Sequence, residues 1–320
     1  MKIDFFSAKP YDKEFFDRFN QQFGFEIQYH ETHLGPHSIN LVTDSKAVCV
    51  FVNDILNASI IEALADKGIK MIALRCAGFN NVDMEAAKKF NIAVTRVAAY
   101  SPEAVAEYAV AMLLTINRKI HKAYNRVREQ NFSLNGLMGF NLHGKTIGVI
   151  GTGRIGKAFT RIMLGFGCRV LAYDIMPDPS FSFPGFSYVT LEELIRNSDI
   201  ISLHCPLTTE NRHLINVETL DQMKQGVTIV NTSRGGLINT PDIIEALKTK
   251  KIGNLCMDVY EQEENLFFRD LSATIIDDDV IQRLMSFPNV LITAHQAFFT
   301  DEALTQIAQK TLENLGQVPD

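Results

Sequence analysis

Residues 146–156 read Thr146-Ile147-Gly148-Val149-Ile150-Gly151-Thr152-Gly153-Arg154-Ile155-Gly156, a β-branched apolar run that leads into the pattern G-x-G-x-x-G. The run predicts a strand, and residues 157–164 continue as a helix. In this setting the first glycine permits a tight turn, the second lets a ligand approach the backbone, and the third allows close packing of helix on strand. Unpaired N–H groups at the start of such a helix bind phosphate oxygens. The stretch therefore predicts a dinucleotide site.

A carboxylate follows the next predicted strand, Arg169–Tyr173. This residue, Asp174, lies roughly 20 residues beyond the glycines, where a carboxylate of this fold accepts hydrogen bonds from the adenosine ribose. Its charge would repel a 2′-phosphate, and Ile175 rather than an arginine comes next. The sequence therefore favours NAD (NADH) over NADPH.

Composition limits the remaining possibilities. The 320 residues exceed the usual limit of about 250–300 for a single core, so two domains are expected. A net charge of −6 without basic blocks argues against nucleic-acid and membrane partners. The most apolar segment, Ala104–Ile116, contains Glu107 and is too short for a membrane span, and the N-terminus lacks a signal-peptide pattern. The five cysteines are scattered, which favours reduced thiols in a cytoplasmic protein and offers no tetrahedral metal site.

The first hundred residues alternate between short apolar runs and polar helical stretches. Helical patterns at 60–67 and 84–89 separate the later runs. This alternation predicts a parallel sheet covered by helices, complete in itself near residue 100. The predicted strands are Lys2–Phe6, Phe25–Tyr29, Ala47–Val52, Met71–Arg75 and Ile92–Thr95.

The rest of the chain predicts a second doubly wound α/β domain. Ser101-Pro102-Glu103 begins a helix so densely apolar that we expect it to be buried nearly all round, with a basic continuation over 117–128. Further helices are predicted to open at Thr190, in a capping box, and at Thr240-Pro241-Asp242. From Thr300 the chain is one amphipathic helix with nothing to pair with in the second sheet. Six strands are predicted, at 146–150, 169–173, 199–203, 227–231, 253–258 and 289–293.

Side chains able to do chemistry follow three of these strands. Arg234 lies among small residues after 227–231, where its planar guanidinium is suited to bind a carboxylate in a bidentate manner. Asp258 ends the next strand and precedes a run with three glutamates, of which the residue pattern does not single out one. His295 follows the last strand, and a lone histidine there is more often a core residue than a catalytic one.

The arginine, glutamate and histidine at successive strand ends, downstream of the glycine loop, resemble the D-isomer specific 2-hydroxyacid dehydrogenase family, its bacterial fermentative branch in particular. The resemblance extends over the whole chain. Its motifs are Ala73-Leu74-Arg75-Cys76-Ala77-Gly78-Phe79-Asn80-Asn81-Val82-Asp83, Ser202-Leu203-His204-Cys205-Pro206-Leu207, Asn231-Thr232-Ser233-Arg234-Gly235, Met257-Asp258-Val259-Tyr260-Glu261 and His295-Gln296-Ala297-Phe298.

The resemblance implies two doubly wound α/β domains with an active-site cleft between them. A flavodoxin-like substrate (catalytic) domain would comprise 1–100 plus 299–320, and a Rossmann NAD-binding domain 101–298. Arg234 would bind the substrate carboxylate and polarise its keto oxygen, and His295 would be the acid–base group. The family spacing from Asp258 selects Glu263 as the partner of His295.

Family members also indicate which residues contact the ligands. The cofactor residues would be Gly151, Gly153, Gly156, Arg154 and Ile155 at the pyrophosphate, Asp174 at the ribose, and Cys205, Pro206, Asn211, Thr232, Ser233 and Asp258 along the remainder. The substrate residues would be Ala77 and Gly78, whose N–H groups face the carboxylate. Apart from the resemblance, four aromatics are candidates for an apolar wall around a small methyl group, with a core position as the alternative for each: Phe51, Tyr100, Phe298 and Phe299. No metal is expected.

The implied reaction is the reversible reduction of a 2-keto acid by NADH, with pyruvate and D-lactate as the leading pair. An imidazolium can donate a proton near neutral pH, and a neighbouring carboxylate favours that charged form. A larger 2-keto acid is an alternative, and a non-catalytic NAD(H)-sensing regulatory protein on the same fold is another. A phosphorylated hydroxyacid would need further cations, for which Arg75 is the obvious candidate.

The helix after Ser101 and its basic continuation resemble the family's dimer-forming region, so a homodimer or homotetramer is expected.

Overall fold

The computed structural model describes residues 1–318, which divide into two compact units. The first unit comprises Met1–Ser101 together with the segment that starts at Phe299, and the second comprises Pro102–Phe298. Each unit has a parallel sheet and hydrophobic clusters of its own. The predicted fold class, two doubly wound α/β domains, is confirmed.

The first unit is built on a five-stranded parallel sheet in the order β2-β1-β3-β4-β5. This order reverses direction at β1 and β3, as in flavodoxin-like folds, and places the carboxyl ends of all five strands along one edge. The strands are β1 (Lys2–Phe5), β2 (Glu26–Tyr29), β3 (Ala47–Val50), β4 (Met71–Leu74) and β5 (Ala93–Arg96), and the helices between them are α1 (Pro10–Asn20), α2 (Ala58–Asp66) and α3 (Met84–Lys89).

Helix caps and apolar runs explain these boundaries. The side chain of Asn57 accepts a hydrogen bond from the backbone of Ile60 at the start of α2, and Asp83 does the same for Ala86 at the start of α3. β3 and β4 are buried on both faces, which accounts for their unbroken apolar sequence. The C-terminal helix, Asp301–Leu315, packs against α1 and buries its apolar face in the cluster formed by the first strands.

The second unit contains a seven-stranded parallel sheet in the order β12-β11-β10-β9-β6-β7-β8. Six of the strands were predicted. The seventh, Phe186–Tyr188, was missed because it has only three residues, with Ser187 between two aromatics, at the edge of the sheet. The strands are β6 (Thr146–Ile150), β7 (Arg169–Tyr173), β8 (Phe186–Tyr188), β9 (Ile200–Leu203), β10 (Val227–Asn231), β11 (Ile252–Met257) and β12 (Val290–Ile292).

The helices of this unit include the predicted buried one. Pro102–Arg118 (α4) packs on α6 and on β10 to β12 and is buried over most of its circumference. The basic continuation is a separate helix, α5, because Lys119 adopts a left-handed backbone conformation that interrupts the first. The other helices are α6 (Arg154–Gly165), α7 (Leu191–Asn197), α8 (Val217–Gln222), α9 (Thr240–Lys248) and α10 (Asp279–Met285), and α5 spans Ile120–Arg128.

Two helix starts refine the sequence prediction. The Thr190 hydroxyl accepts from the backbone of Glu193 at the start of α7, as a capping residue should. At α9 the cap is Asn239, one residue before the predicted Thr240.

Across residues 1–318, no helix has the combination of length and apolar character that crossing a bilayer requires.

Candidate active site

The glycine loop between β6 and α6 has two glycines that the fold itself requires. Gly151 has a φ of 94°, and a Cβ there would lie 2.6 Å from the backbone nitrogen of Cys205. A Cβ on Gly156 would lie 2.0 Å from the carbonyl oxygen of Gly151. A Cβ on Gly153 would meet no atom within 4 Å. The space beside Gly153 is therefore open to a ligand, while packing explains the other two glycines.

The start of α6 faces this open space. Gly153 is the cap residue of the helix and has no side chain to accept from its first N–H groups. Arg154 is exposed and Ile155 is half-buried directly after it. Backbone donors and the positive end of the helix dipole together favour the binding of an anion such as a phosphate at this end of α6.

Asp174 is held against the glycine loop. One of its carboxylate oxygens accepts from the backbone N–H of Thr152 at 2.6 Å and from the Thr152 hydroxyl at 3.0 Å, and the other accepts from the N–H of Met176 at 2.9 Å. The Tyr188 hydroxyl donates to Thr152 Oγ1 at 3.0 Å. A carboxylate offers about four acceptor positions, so Asp174 keeps capacity for a ribose hydroxyl.

The loop after β9 is braced by the residues expected at the cofactor. The Asn211 amide donates to the carbonyl of Pro206 at 2.7 Å, and the Ser233 hydroxyl donates to the carbonyl of Cys205 at 2.6 Å. Burial raises the pKa of the Cys205 thiol to about 11, so the group is neutral. Among the described residues, the buried hydroxyl of Thr232 has no hydrogen-bond partner, which suits a position completed by a ligand.

His295 forms a hydrogen-bonded pair with Glu263. Its Nδ1 lies 2.7 Å from Glu263 Oε1, and the second carboxylate oxygen accepts from the backbone N–H of Tyr260 at 2.9 Å. Because Nδ1–H is directed to the carboxylate, Nε2 is the nitrogen left to exchange a proton with a substrate. Glu261 instead pairs with Arg212 and with His213. Of these two glutamates, Glu263 is the one in contact with His295.

The turn that carries His295 is fixed by Asp258. This fully buried carboxylate accepts from the Thr293 hydroxyl at 2.6 Å and from the backbone N–H groups of Gln296 and Ala297. Burial raises the pKa of Asp258, and the Thr293 and backbone hydrogen bonds oppose that shift. The φ of His295 is 53°, a left-handed conformation that is uncommon outside glycine and is common at active sites. Asp258 therefore orients the turn, in addition to the cofactor contact expected of it.

Hydrogen bonds connect the turns after β10, β11 and β12 in series. The Asn231 amide donates to the Arg234 carbonyl at 2.9 Å, the Asp258 N–H donates to the Asn231 carbonyl at 2.9 Å, and the His295 N–H donates to the Asp258 carbonyl at 2.7 Å. The Arg234 guanidinium donates to the Ser233 carbonyl, and within residues 1–318 it forms no ion pair with a carboxylate. Its charge is therefore available to an anionic substrate.

The residues expected at the substrate are distributed over both units. Ala77 and Gly78 lie after β4, where the Arg96 guanidinium donates to the carbonyl of Ala77 at 2.7 Å. Phe51, after β3, and Tyr100 are half-buried in the first unit. Phe298 is buried and belongs to the second unit.

Arg75 cannot serve as the cation for a phosphorylated substrate. It is only 2% exposed, it pairs with Asp12 at 3.2 Å, and it donates to the carbonyls of Phe6 and Ser7. Burial is the largest effect and opposes its charge, but Asp12 together with Cys49, Asp54 and Tyr11 raises the pKa of Arg75 above its usual value. The guanidinium is thus a permanent part of the first unit's core.

The family model described as "D-isomer specific 2-hydroxyacid dehydrogenase, NAD binding domain" matches residues 110–297. The chain belongs to this family. It is 54% identical over 318 residues to D-lactate dehydrogenase of Escherichia coli strain K12, covering 99% of this chain and 97% of that protein. The apo structure of the E. coli enzyme superposes with a TM-score of 0.90 at 52% identity, covering 99% and 96% of the two chains. The pyruvate reductase of Chlamydomonas reinhardtii superposes with a TM-score of 0.92 at 43% identity, covering 98% and 95%.

This 2-hydroxyacid dehydrogenase uses NAD, as predicted, and its residues fit that cofactor. Four features that suit the cofactor lie along the carboxyl edge of one sheet. They are the open space at Gly153, the uncapped start of α6, the remaining acceptor capacity of Asp174 and the unpaired Thr232 hydroxyl. Such an edge, at the point where strand order reverses between β6 and β9, is where dinucleotides bind. When bound, NADH supplies the hydride.

Sequence reasoning missed several residues that shape the dehydrogenase site. His204 lies beneath the glycine loop with its ring against Phe159 and a hydrogen bond to Ser202 at 2.9 Å. Burial lowers the pKa of His204 to about 3, so it is neutral. Its position directly after a buried strand, next to Cys205, was the available signal. Asp54 and Asn81, which organise the turns of the first unit, had no comparable signal.

Proposed function

We propose that this dehydrogenase reduces pyruvate to D-lactate with NADH and catalyses the reverse reaction with NAD⁺. The observation that carries the proposal is the His295–Glu263 pair, 2.7 Å apart, on a turn bonded in series to the turn of Arg234. Two relatives, a D-lactate dehydrogenase and a pyruvate reductase, support pyruvate as the substrate.

Each proposed catalytic residue has one role. His295 donates a proton through Nε2 to the carbonyl oxygen, while the carbonyl carbon accepts the hydride, so that one hydride and one proton (two electrons and two protons in total) are added. Glu263 accepts the hydrogen bond from Nδ1–H and so fixes the tautomer and orientation of the His295 ring. Arg234 binds the carboxylate and stabilises the charge that develops on the carbonyl oxygen, an effect often worth about 3–4 kcal/mol.

The first unit is proposed to be the substrate domain and the second the NAD-binding domain. The N–H groups of Ala77 and Gly78 would bind the substrate carboxylate, and Phe51, Tyr100 and Phe298 would limit the space for its methyl group. Arg75 is buried and paired with Asp12, so its guanidinium is not available to a phosphate, and this supports an unphosphorylated substrate.

The test is the oxidation of NADH with a panel of 2-keto acids, followed by chiral analysis of the product. We expect pyruvate to have the highest kcat/KM and D-lactate to be the sole enantiomer formed. His295→Ala and Arg234→Ala should retain NADH binding and lose at least about 100-fold in kcat/KM. L-lactate as product, or full activity in His295→Ala, would refute the proposed function.

We propose that the protein is a cytoplasmic homodimer or a tetramer built from such dimers. Helix α5 and the loop that follows it expose an unusual number of apolar side chains, and basic residues lie among them. The five cysteines are all free thiols, which is typical of a reducing compartment. The exposed apolar residues are Ile120, Tyr124, Val127, Phe132, Leu134 and Met138. Leu134→Lys should lower the mass measured by light scattering, and a wild-type monomer would contradict the proposal.

A further inference from the structure

Two loops of the first unit are joined by the side chain of Asn81. Its amide donates to the carbonyl of Phe51 at 3.0 Å and to the carbonyl of Asp54 at 2.8 Å. The backbone carbonyl of Asn81 accepts from the N–H of Leu56 at 3.2 Å, and an isolated bridge between Leu56 and Val82 follows. The loop after β3 is therefore tied to the loop after β4, which contains Ala77 and Gly78.

Phe51 is also held from its other side. The Asp54 carboxylate accepts from the N–H of Phe51 at 2.5 Å and from the N–H of Leu34 and the Ser7 hydroxyl at 2.7 Å each. Asp54 is only 1% exposed, so this carboxylate is part of the core. The Phe51 ring packs on the Arg75 guanidinium, with 4.8 Å between the guanidinium carbon and the ring centroid. Backbone N–H, backbone carbonyl and ring of Phe51 are thus all fixed by buried or half-buried polar groups.

Loop residues are ordinarily the most mobile part of a fold, because few contacts hold them. A phenylalanine held at three points in a loop is rigid, and a rigid wall discriminates between substrates more sharply than a mobile one. An added methylene in a fixed apolar pocket changes kcat/KM by about 10–200-fold. This selectivity depends on the wall staying in place when a larger substrate presses on it.

We propose that Asn81 is a positioning residue that sets which 2-keto acids the enzyme accepts. The inference rests on the proposed function, in which Ala77 and Gly78 bind the carboxylate and Phe51 bounds the substrate side chain. Asn81 belongs to the same segment as the carboxylate turn and bonds directly to the backbone of the wall. It therefore fixes the distance between these two elements, and this distance selects a methyl group over longer side chains.

The test compares Asn81→Ala with Asn80→Ala, a neighbouring asparagine that is exposed. Steady-state kinetics are measured with pyruvate, 2-oxobutyrate and 4-methyl-2-oxopentanoate. We expect the kcat/KM preference for pyruvate over 2-oxobutyrate to fall about tenfold in Asn81→Ala, mainly through a higher KM for pyruvate. Asn80→Ala should keep the wild-type preference, and NADH affinity should be unchanged in both. An unchanged preference in Asn81→Ala would overturn the proposal.

A double-mutant cycle with Phe51→Ala tests whether Asn81 acts through Phe51. If it does, Asn81→Ala should change the preference no further once Phe51 has been truncated. Additive effects of the two substitutions would overturn the assignment. Asn81→Asp, which keeps the size of the side chain and removes the donor, should shift the preference in the same direction and covers the case in which the alanine variant is unstable.

Failure of the proposed function gives a different result. A wild-type enzyme that reduces none of the three 2-keto acids refutes the function itself. An active wild type whose preference is the same in Asn81→Ala and Asn81→Asp refutes only the positioning role.

Discussion

Alanine at Gly156 and alanine at Gly153 should have opposite consequences for stability and cofactor binding. At Gly156 the new Cβ would lie 2.0 Å from the Gly151 carbonyl oxygen and 3.0 Å from its carbon, both backbone atoms. Reaching an ordinary contact requires a displacement of roughly 1.4 Å between β6 and α6, and overpacking of this kind costs about 1–3 kcal/mol. We expect Gly156→Ala to lose that much free energy of unfolding and also to lose NADH binding, because the loop is displaced.

At Gly153 the backbone has a φ of −63° and a ψ of −168°, which alanine can adopt, and the Cβ meets nothing within 4 Å. Alanine lowers the conformational entropy of the unfolded chain, which raises the free energy of unfolding by about 0.4–1 kcal/mol. Alanine is also a poorer helix cap than glycine, which cancels part of this stabilisation. The free energy of unfolding should therefore stay within about 0.5 kcal/mol of wild type. The methyl group does occupy the space assigned to the pyrophosphate, so the Kd for NADH should rise about tenfold or more.

The assays are urea unfolding of the cofactor-free protein and titration of NADH fluorescence. Wild-type stability in Gly156→Ala would contradict the packing argument. Wild-type NADH affinity in Gly153→Ala would contradict the placement of the pyrophosphate. Both results together would refute the assignment of this loop.

Three further predictions concern titration, catalysis and cofactor choice. Because burial lowers the pKa of His204 to about 3, the unfolded chain takes up a proton below pH about 6.5 and the folded chain does not. Stability is therefore lost as the pH falls from about 6.5 towards 3, by about 2 kcal/mol at pH 5. His204→Gln should remove this part of the pH dependence of the free energy of unfolding, measured by urea unfolding. Identical pH curves for the wild type and the variant would contradict the prediction. Glu263→Gln should lower kcat by about 10–100-fold and leave the NADH affinity intact. Glu261→Gln should retain most activity, because Glu261 does not contact His295. Equal losses of kcat in the two variants would count against a catalytic role of the His295–Glu263 pair. Asp174→Ala should reduce the preference for NADH over NADPH about tenfold in kcat/KM, and an unchanged ratio would show that this carboxylate does not select the cofactor.

Local patterns in the sequence were sufficient for eleven of the twelve strands of the described residues, for the glycine loop and for the cap at Thr190. β6 and its loop are consecutive in the chain, so their chemistry is visible as spacing. Tyr188 was missed because an edge strand of three residues has no hydrophobic periodicity to detect. The strand order within each sheet follows general rules of α/β folds rather than any single residue.

The functional residues also differ in whether the neighbouring sequence is enough to identify them. Glu263 could be chosen over its neighbours only through the family spacing, since three nearby glutamates look alike in composition. The contact from Asn81 to Phe51 joins residues 30 positions apart through a backbone carbonyl, and nothing in either residue type indicates it. Side-chain bonds to distant backbone groups depend on tertiary geometry and are found only in coordinates.

The C-terminal helix has a consequence for biosynthesis. The five strands of the first unit leave the ribosome early, yet the helix that covers Ile3 and Phe5 with Ala308, Leu312 and Leu315 is translated only after the whole second unit. The apolar surface around Ile3 and Phe5 therefore remains uncovered while the intervening second unit is synthesised. The nascent polypeptide must therefore finish its second unit before its first, and the waiting surface is where chaperones would engage it.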